Sequence, residues 1–199
     1  EPTAASPRYT GPVEIGKSAR FRATALREGG ENASYSREVA FSKSTGRPAV
    51  LNTKPNDSYT FEGASLLVDG YHSRPVFTSG AWLGYLDEPL DVTIDMGGEQ
   101  SYRSVELETL AEKGDWIFPP SSVTVWVSDN GTDFTEVASV TVPEAKAGDA
   151  DGIGRYRMQF PETSARYLKV VAQNAAAIPA WHPGAGSKGF LFVDEIVVE

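Results

Sequence analysis

Residues 118–134 read FPPSSVTVWVSDNGTDF, and they decide the fold class. Val123, Val125 and Val127 alternate with Thr124, Trp126 and Ser128, so apolar side chains recur at every second residue. In an extended chain successive side chains point to opposite sides, and this period therefore puts the three valines on one face of a half-buried strand. Asn130-Gly131 follows at once. Both residues tolerate φ > 0, and between two β runs the pair predicts a tight hairpin.

The same period spreads in both directions. Phe21, Ala23 and Ala25 alternate with Arg20, Arg22 and Thr24, and Tyr35, Arg37, Val39 and Phe41 keep the two-residue spacing. Val92 with Ile94, Val105 with Leu107, and Tyr156, Met158 and Phe160 repeat it. Two near-continuous apolar runs, Tyr167 to Ala172 and Phe190 to Val198, predict strands buried on both faces. The best helical candidate, Gln173 to Ile178, is short and meets Pro179, which cannot continue a helix. Short strands separated by Gly, Pro, Asn and Asp clusters predict an all-β sandwich or jelly roll. The stretch STGRPAVLNTKPN at 44–56 divides the chain into a partial β-domain over 1–44, a linker over 45–53 and a main domain over 54–199. The first part offers about three strands, too few to close a sandwich alone. It either leans on the second domain or belongs to a domain that starts upstream.

Composition narrows the function. At 40% hydrophobic residues the 199-residue chain can bury a core, and with 19 Gly and 13 Pro it is too turn-rich for a helical bundle. The net charge of −9 argues against nucleic acid and anionic membrane surfaces, which need clustered Lys and Arg, and leaves neutral partners open. No run approaches the roughly 18 apolar residues of a membrane-spanning helix. The absence of cysteine removes disulfides, zinc-thiolate sites and thiol nucleophiles. Glu1-Pro2-Thr3 opens the chain with neither Met nor a signal peptide, and reads as the start of an excised piece. Asn32-Ala33-Ser34, Asn56-Asp57-Ser58 and Asn130-Gly131-Thr132 fit the N-glycosylation pattern, which means little in a chain of bacterial character.

No catalytic constellation stands out. His72 and His182 lie in no nucleophile or metal-hydrolase motif. Glycoside hydrolysis needs two carboxylates set a fixed distance apart. Asp87 with Glu88, or Asp115, are the acidic loop residues any such chain supplies. Sugar binding has different needs: a flat aromatic for the apolar C–H face, and a few forked donors and acceptors. Trp116 in EKGDWIFPP and Trp181-His182 in PAWHPGAG lie in loops bracketed by Gly and Pro. Tyr71, His72 and Arg74 in DGYHSRP add an aromatic, an imidazole and a guanidinium. The other reading makes each indole a plug at the end of the sandwich. Trp82 in GAWLGY reads as core, and Trp126 as facing solvent or a neighbouring domain.

Two resemblances sharpen these expectations. SPRYTGPVEIGKSARFRATALREGG and SREVAFS, after Glu1-Pro2-Thr3, resemble the second half of the small β-domain near the C-terminus of chitobiases, over roughly residues 1 to 43. From about residue 50 onward, LLVDGYHS, WLGYLDEPLDVTIDMGG, FPPSSVTVWVSDNGTDF, ARYLKVVAQN and PAWHPGAGSKGFLFVDEIVVE, in this order, resemble a factor V/VIII type C (discoidin-like) domain, the galactose-binding-like fold of family thirty-two carbohydrate-binding modules. That resemblance implies an eight-stranded jelly roll with a sugar site on the loops at one end. It also implies a structural calcium ion, with Asp69 and Glu195 as carboxylate ligands, carbonyls near Leu66 and Tyr71, and the Ser73 hydroxyl; YHSRPVFTSGAW departs from the usual ligand spacing. Otherwise Asp69 caps a turn and Glu195 makes a local ion pair. Together the resemblances imply a non-catalytic module of a secreted, periplasmic or surface-bound bacterial β-N-acetylhexosaminidase of glycoside hydrolase family twenty. Its partners would be the parent's catalytic domain and glycans ending in GlcNAc, GalNAc or galactose. The alternative is a spacer that braces the glycosidase and binds no sugar.

Overall fold

The computed structural model describes residues 2–26 and 33–199; Glu1 and Asn32, each named above, lie outside them. In β6 (Ser122–Ser128) the three valines are buried and Thr124 and Trp126 half-buried, as the alternation requires. Trp126 lies on the outer face, where the Lys169 ammonium sits 5.6 Å from its ring centre. β6 pairs antiparallel with β7 (Thr135–Thr141), but the connection is longer than a two-residue hairpin. Asn130 uses its side chain instead of a left-handed backbone. Its Oδ1 accepts from the Thr132 and Asp133 N–H groups, each at 2.9 Å, and only Gly131 takes positive φ, at 77°.

Two 22-residue strands organise the rest. Val92, Ile94, Val105 and Leu107 all belong to β5 (Leu90–Ala111), which pairs with β8 (Gly152–Gln173) along both halves. The ladder breaks between Asp95 and Gln100, where Gly97 turns with φ 79°. Bulges of this kind let a strand bend from one layer into another. The first half of β5 and the second half of β8 join β3 (Ala49–Leu51), β6 and β7. The other halves join β9 (Leu191–Val198) and β4 (Leu83–Tyr85). Inward residues from both layers, Val92, Ile94, Val105, Leu107, Val125, Leu168 and Ile196 among them, form one core. This is the expected β-sandwich of jelly-roll type, with nine strand segments among the described residues, counting each half of β5 and β8, instead of eight.

Three expectations change, and the short helical candidate does not form. β9 is buried on both faces as its apolar run requires, whereas Tyr167, Lys169 and Val171 of β8 lie half-exposed on the outer face. No helix forms over Gln173 to Ile178: β8 runs through Gln173 and an irregular loop follows. Among the described residues, the first 44 supply one hairpin, β1 (Ala19–Ala25) with β2 (Ala33–Val39), and not three strands. The segment 45–53 is no linker, since β3 within it pairs with β5. Backbone pairing with the sandwich starts at Ala40, whose N–H donates to Gly70 O. Buried Ser44 donates to Ile196 O at 2.6 Å, and Lys43 N–H to Val198 O.

A smaller core closes one end. Trp82, Leu110, Ile117 and Phe192 are almost fully buried there, with Tyr59, Phe77 and Phe190 packed round them. Tyr59 stands 4.8 Å edge-on to Phe192. Trp82 is core as read, and its Nε1–H donates to Arg74 O. Such a buried aromatic floor is worth about 3–5 kcal/mol per large ring removed, and gives the loops above it a rigid base.

Candidate functional site

Above that floor the structure brings Trp116, Trp181 and His182 together. A 3-10 turn at Lys113–Asp115 delivers Trp116 in a left-handed conformation, φ 64°, closed by its N–H donating to Lys113 O. A non-glycine residue there costs of order 1 kcal/mol and needs its surroundings to hold it. Trp116 O and Phe118 N–H both pair with Phe190, which anchors the loop at the head of β9. Lys113, buried, is ion-paired with Asp151 and steadies the same turn from beneath.

His182 is the joint between the two loops. It is buried, its Nδ1 accepts from Gly184 N–H at 3.0 Å, and its Nε2–H donates to Lys113 O at 2.9 Å. Both ring nitrogens are spent on backbone, which fixes the Nε2-protonated tautomer. His182 is therefore not placed to be the ligand-facing donor expected of it; it aligns the two indoles. Trp116 and Trp181 each stand nearly perpendicular to its ring, at 6.1 and 5.5 Å, and remain 43% and 40% exposed. Trp181 donates through Nε1 to Ala145 O at 2.9 Å, and Trp116 lies flat against Gly184, where a Cβ would come within 2.8 Å of its ring.

Tyr71, His72 and Arg74 make their contacts elsewhere. Arg37 stacks on Tyr71 at 3.8 Å, and a groove of about 420 Å³ against β2 holds Tyr71 and Arg74. The Nδ1–H of His72 donates to the buried Glu108, which also receives Arg155. The Glu108 hydrogen bond holds the His72 pKa above its usual value. The six residues grouped from sequence thus divide into a tip and a flank.

Sequence reading missed a cleft of about 370 Å³ beside the tip. Phe118, Pro119, Val142, Ala145 and Ile178 are among its walls. It opens where three connections converge, after the 3-10 turn, after β7 and after β8, and no local pattern marks that convergence. Beyond it the tip is acidic: burial, then Asp115 and Asp151, hold the Glu112 carboxyl above its ordinary range.

The expected calcium ligands can be tested against this geometry. Glu195 is fully buried; its Oε2 accepts from Gly70 N–H at 3.1 Å and its Oε1 has no partner among the described residues. Burial foremost, then the charges of Asp69 and Asp194, push its pKa up to about 9, and burial foremost pushes Asp194 to about 7. An orphaned buried carboxylate oxygen beside other carboxylates fits a hard cation. Asp69 fits less well, because its oxygens already accept from Tyr71 N–H and Arg37. Ser73 donates its hydroxyl to Ala81 O. Among the described residues no three Asp, Glu or His side chains gather to hold a metal, so carbonyls would have to complete the set.

No helix among the described residues is long and apolar enough to cross a membrane. No curated protein matches the chain. Among solved structures it is similar to chitosan-binding module 1 of a chitosanase/glucanase from Paenibacillus sp. IK-5, with 16% identity and a TM-score of 0.50 over 80% of this chain and 98% of that one. Module 2 of that enzyme, in complex with chitotriose, gives 18% identity and 0.50 over 78% and 98%. CpGH89CBM32-5 from Clostridium perfringens, in complex with GalNAc-beta-1,3-galactose, gives 16% and 0.50 over 76% and 93%. These likenesses establish the fold. The sequence profile of the F5/8 type C domain matches residues 51–188, which is most of the sandwich, and the chain belongs to that family.

Proposed function

We propose that the protein is a non-catalytic carbohydrate-binding module whose tip, Trp116 and Trp181, stacks on the apolar faces of sugar rings. The observation that carries this is two half-exposed indoles locked in orientation by one buried histidine. A core plug would be covered; a lure for flexible partners would not be fixed. Fixed, exposed aromatics are what weak, shallow sugar sites use. Similar modules in complex with chitotriose and GalNAc-beta-1,3-galactose support the same reading. The ligands are neutral glycans ending in GlcNAc, GalNAc or galactose, consistent with the acidic surroundings of the tip. The module is part of a secreted, periplasmic or surface-bound bacterial β-N-acetylhexosaminidase, and raises the local substrate concentration for that enzyme's catalytic domain. A structural calcium ion at Glu195 and Asp69 braces the fold, supported by the unpartnered Glu195 oxygen.

One shallow site gives dissociation constants of roughly millimolar to tens of micromolar, about −4 to −6 kcal/mol. The test is NMR titration of wild type, Trp116→Ala and Trp181→Ala with GlcNAc, GalNAc and galactose. Either substitution is expected to abolish binding while the melting temperature barely moves. Binding that survives both in folded protein places the site elsewhere, and unfolding by either would make that tryptophan a plug.

A further inference from the structure

The cleft beside the tip is contiguous with it. Ala180, which precedes Trp181, and Ala145, whose carbonyl holds the Trp181 indole, both line it. Phe118, at its base, lies 6.3 Å from Trp181 and 5.5 Å from His182. A sugar stacked on Trp181 therefore has a substituent or a neighbouring ring at the cleft mouth.

The walls say which substituent. They are mostly alanine, proline, valine, isoleucine and phenylalanine; Glu144 is the one charged side chain, and the Ser121 hydroxyl is spent on Asn174 O. A hydroxyl pressed against the apolar walls loses water and gains no hydrogen bond from them. Yet the cleft is not inert, because the peptide N–H groups of Ala175, Ala176 and Ala177 make no hydrogen bond among the described residues. A lining that is apolar in its side chains and donor-bearing in its backbone complements a group with a methyl at one end and a carbonyl beside it. At about 370 Å³ the space exceeds one such group and admits part of a ring with it.

From this juxtaposition we infer that the cleft is an acetamido subsite: the module selects N-acetylated amino sugars, seating the acetyl methyl against Phe118 and Ile178 and its carbonyl oxygen on the Ala175–Ala177 peptides. This rests on the tip reading and narrows it, removing galactose from the preferred ligands. A free ammonium drawn to Glu144 is the competing outcome.

The experiment compares N,N′-diacetylchitobiose, its fully deacetylated dimer and cellobiose by NMR titration against the whole chain. Saturation transfer from the protein to the sugar protons is read in parallel. The diacetyl dimer is expected to bind at least about fivefold more tightly than either other sugar, in line with the discrimination a single apolar group supplies. Its acetyl methyls should receive more saturation than its ring protons. Pro143→Trp, which fills the cleft mouth from an exposed position, is expected to erase that preference while leaving binding that Trp181→Ala removes. Should this variant misfold, the wild-type preference and saturation pattern still decide. Equal binding of diacetylchitobiose and cellobiose, abolished by Trp181→Ala, overturns the acetamido subsite and leaves the tip standing. Tighter binding of the deacetylated dimer overturns it in favour of Glu144. No binding of any of the three brings down the tip reading and the subsite together.

Discussion

Gly184 shows how much a single missing atom decides. Its backbone is one that alanine adopts freely, but an added Cβ would sit 2.8 Å from the Trp116 ring. Gly184→Ala is therefore expected to tilt Trp116 and weaken sugar binding about tenfold, near 1.4 kcal/mol, with the melting temperature shifted by no more than about 2 °C; calorimetric titration with a thermal melt checks both. The residue types at the tip were legible in the sequence because tryptophan between Gly and Pro runs announces a loop. The role of His182 was not: whether an imidazole faces ligand or backbone depends on Lys113, 69 residues away. The same limit applies to the carboxylates. If calcium binds Glu195, a hundredfold excess over Kd adds about 2.7 kcal/mol, and EDTA should lower the melting temperature by roughly 5–10 °C. Asp69→Asn should melt lower and lose that response. An EDTA-insensitive melt in both proteins leaves Asp69 as the cap of its turn.

Among the elements, the bend in β5 carries the most structure per residue. Arg166, on β8, holds Asp95 through two hydrogen bonds of 3.0 and 2.8 Å, and Gly97 N–H donates to the same carboxylate. The Arg166 hydrogen bond foremost, then that N–H, depresses the Asp95 pKa to about 2. A depressed carboxylate stabilises the fold above its unfolded pKa, near 4, and loses that contribution as pH falls through its folded value. The stability difference between wild type and Asp95→Asn should thus be constant above about pH 4 and vanish toward pH 2, as denaturant unfolding across that range would show. A difference independent of pH would mean the variant acts through packing alone. Alternation revealed the strands on either side of this bend, but Val92–Ile94 and Val105–Leu107 read as separate strands, since a period of two says nothing of whether a Gly-Gly pair ends a strand or turns it into the next layer. The apolar run at Tyr167 misled for a related reason: Lys169 lies with its ammonium against the Trp126 and Phe134 rings, a half-covered outer face that looks in sequence like a buried one.

For the whole molecule, the boundary between hairpin and sandwich falls at Val39, earlier than a Gly/Pro-rich stretch at 44–56 implies. Turn-forming residues mark where the chain changes direction, and Ser44 and β3 show that it changes direction inside the sandwich. A chain starting at Val39 is expected to melt within about 5 °C of the intact protein. One starting at Lys54, which loses β3 and the Ser44–Ile196 hydrogen bond, should melt at least about 10 °C lower or fail to fold. Equal melting of the two would restore the later boundary. The same stitching sets how the molecule bears load. Residues 40–46 join the sandwich beside Val198, at the foot of β9, while Phe190 at its head anchors the Trp116 loop. Were a polymer gripped at the tip, as proposed, tension between it and the hairpin would run lengthwise along the eight residues of β9, about 25 Å. Its ladders to β4 and β5 are pulled in shear, so their hydrogen bonds must yield together and not one after another, and a weak grip on the sugar gives way long before the module does.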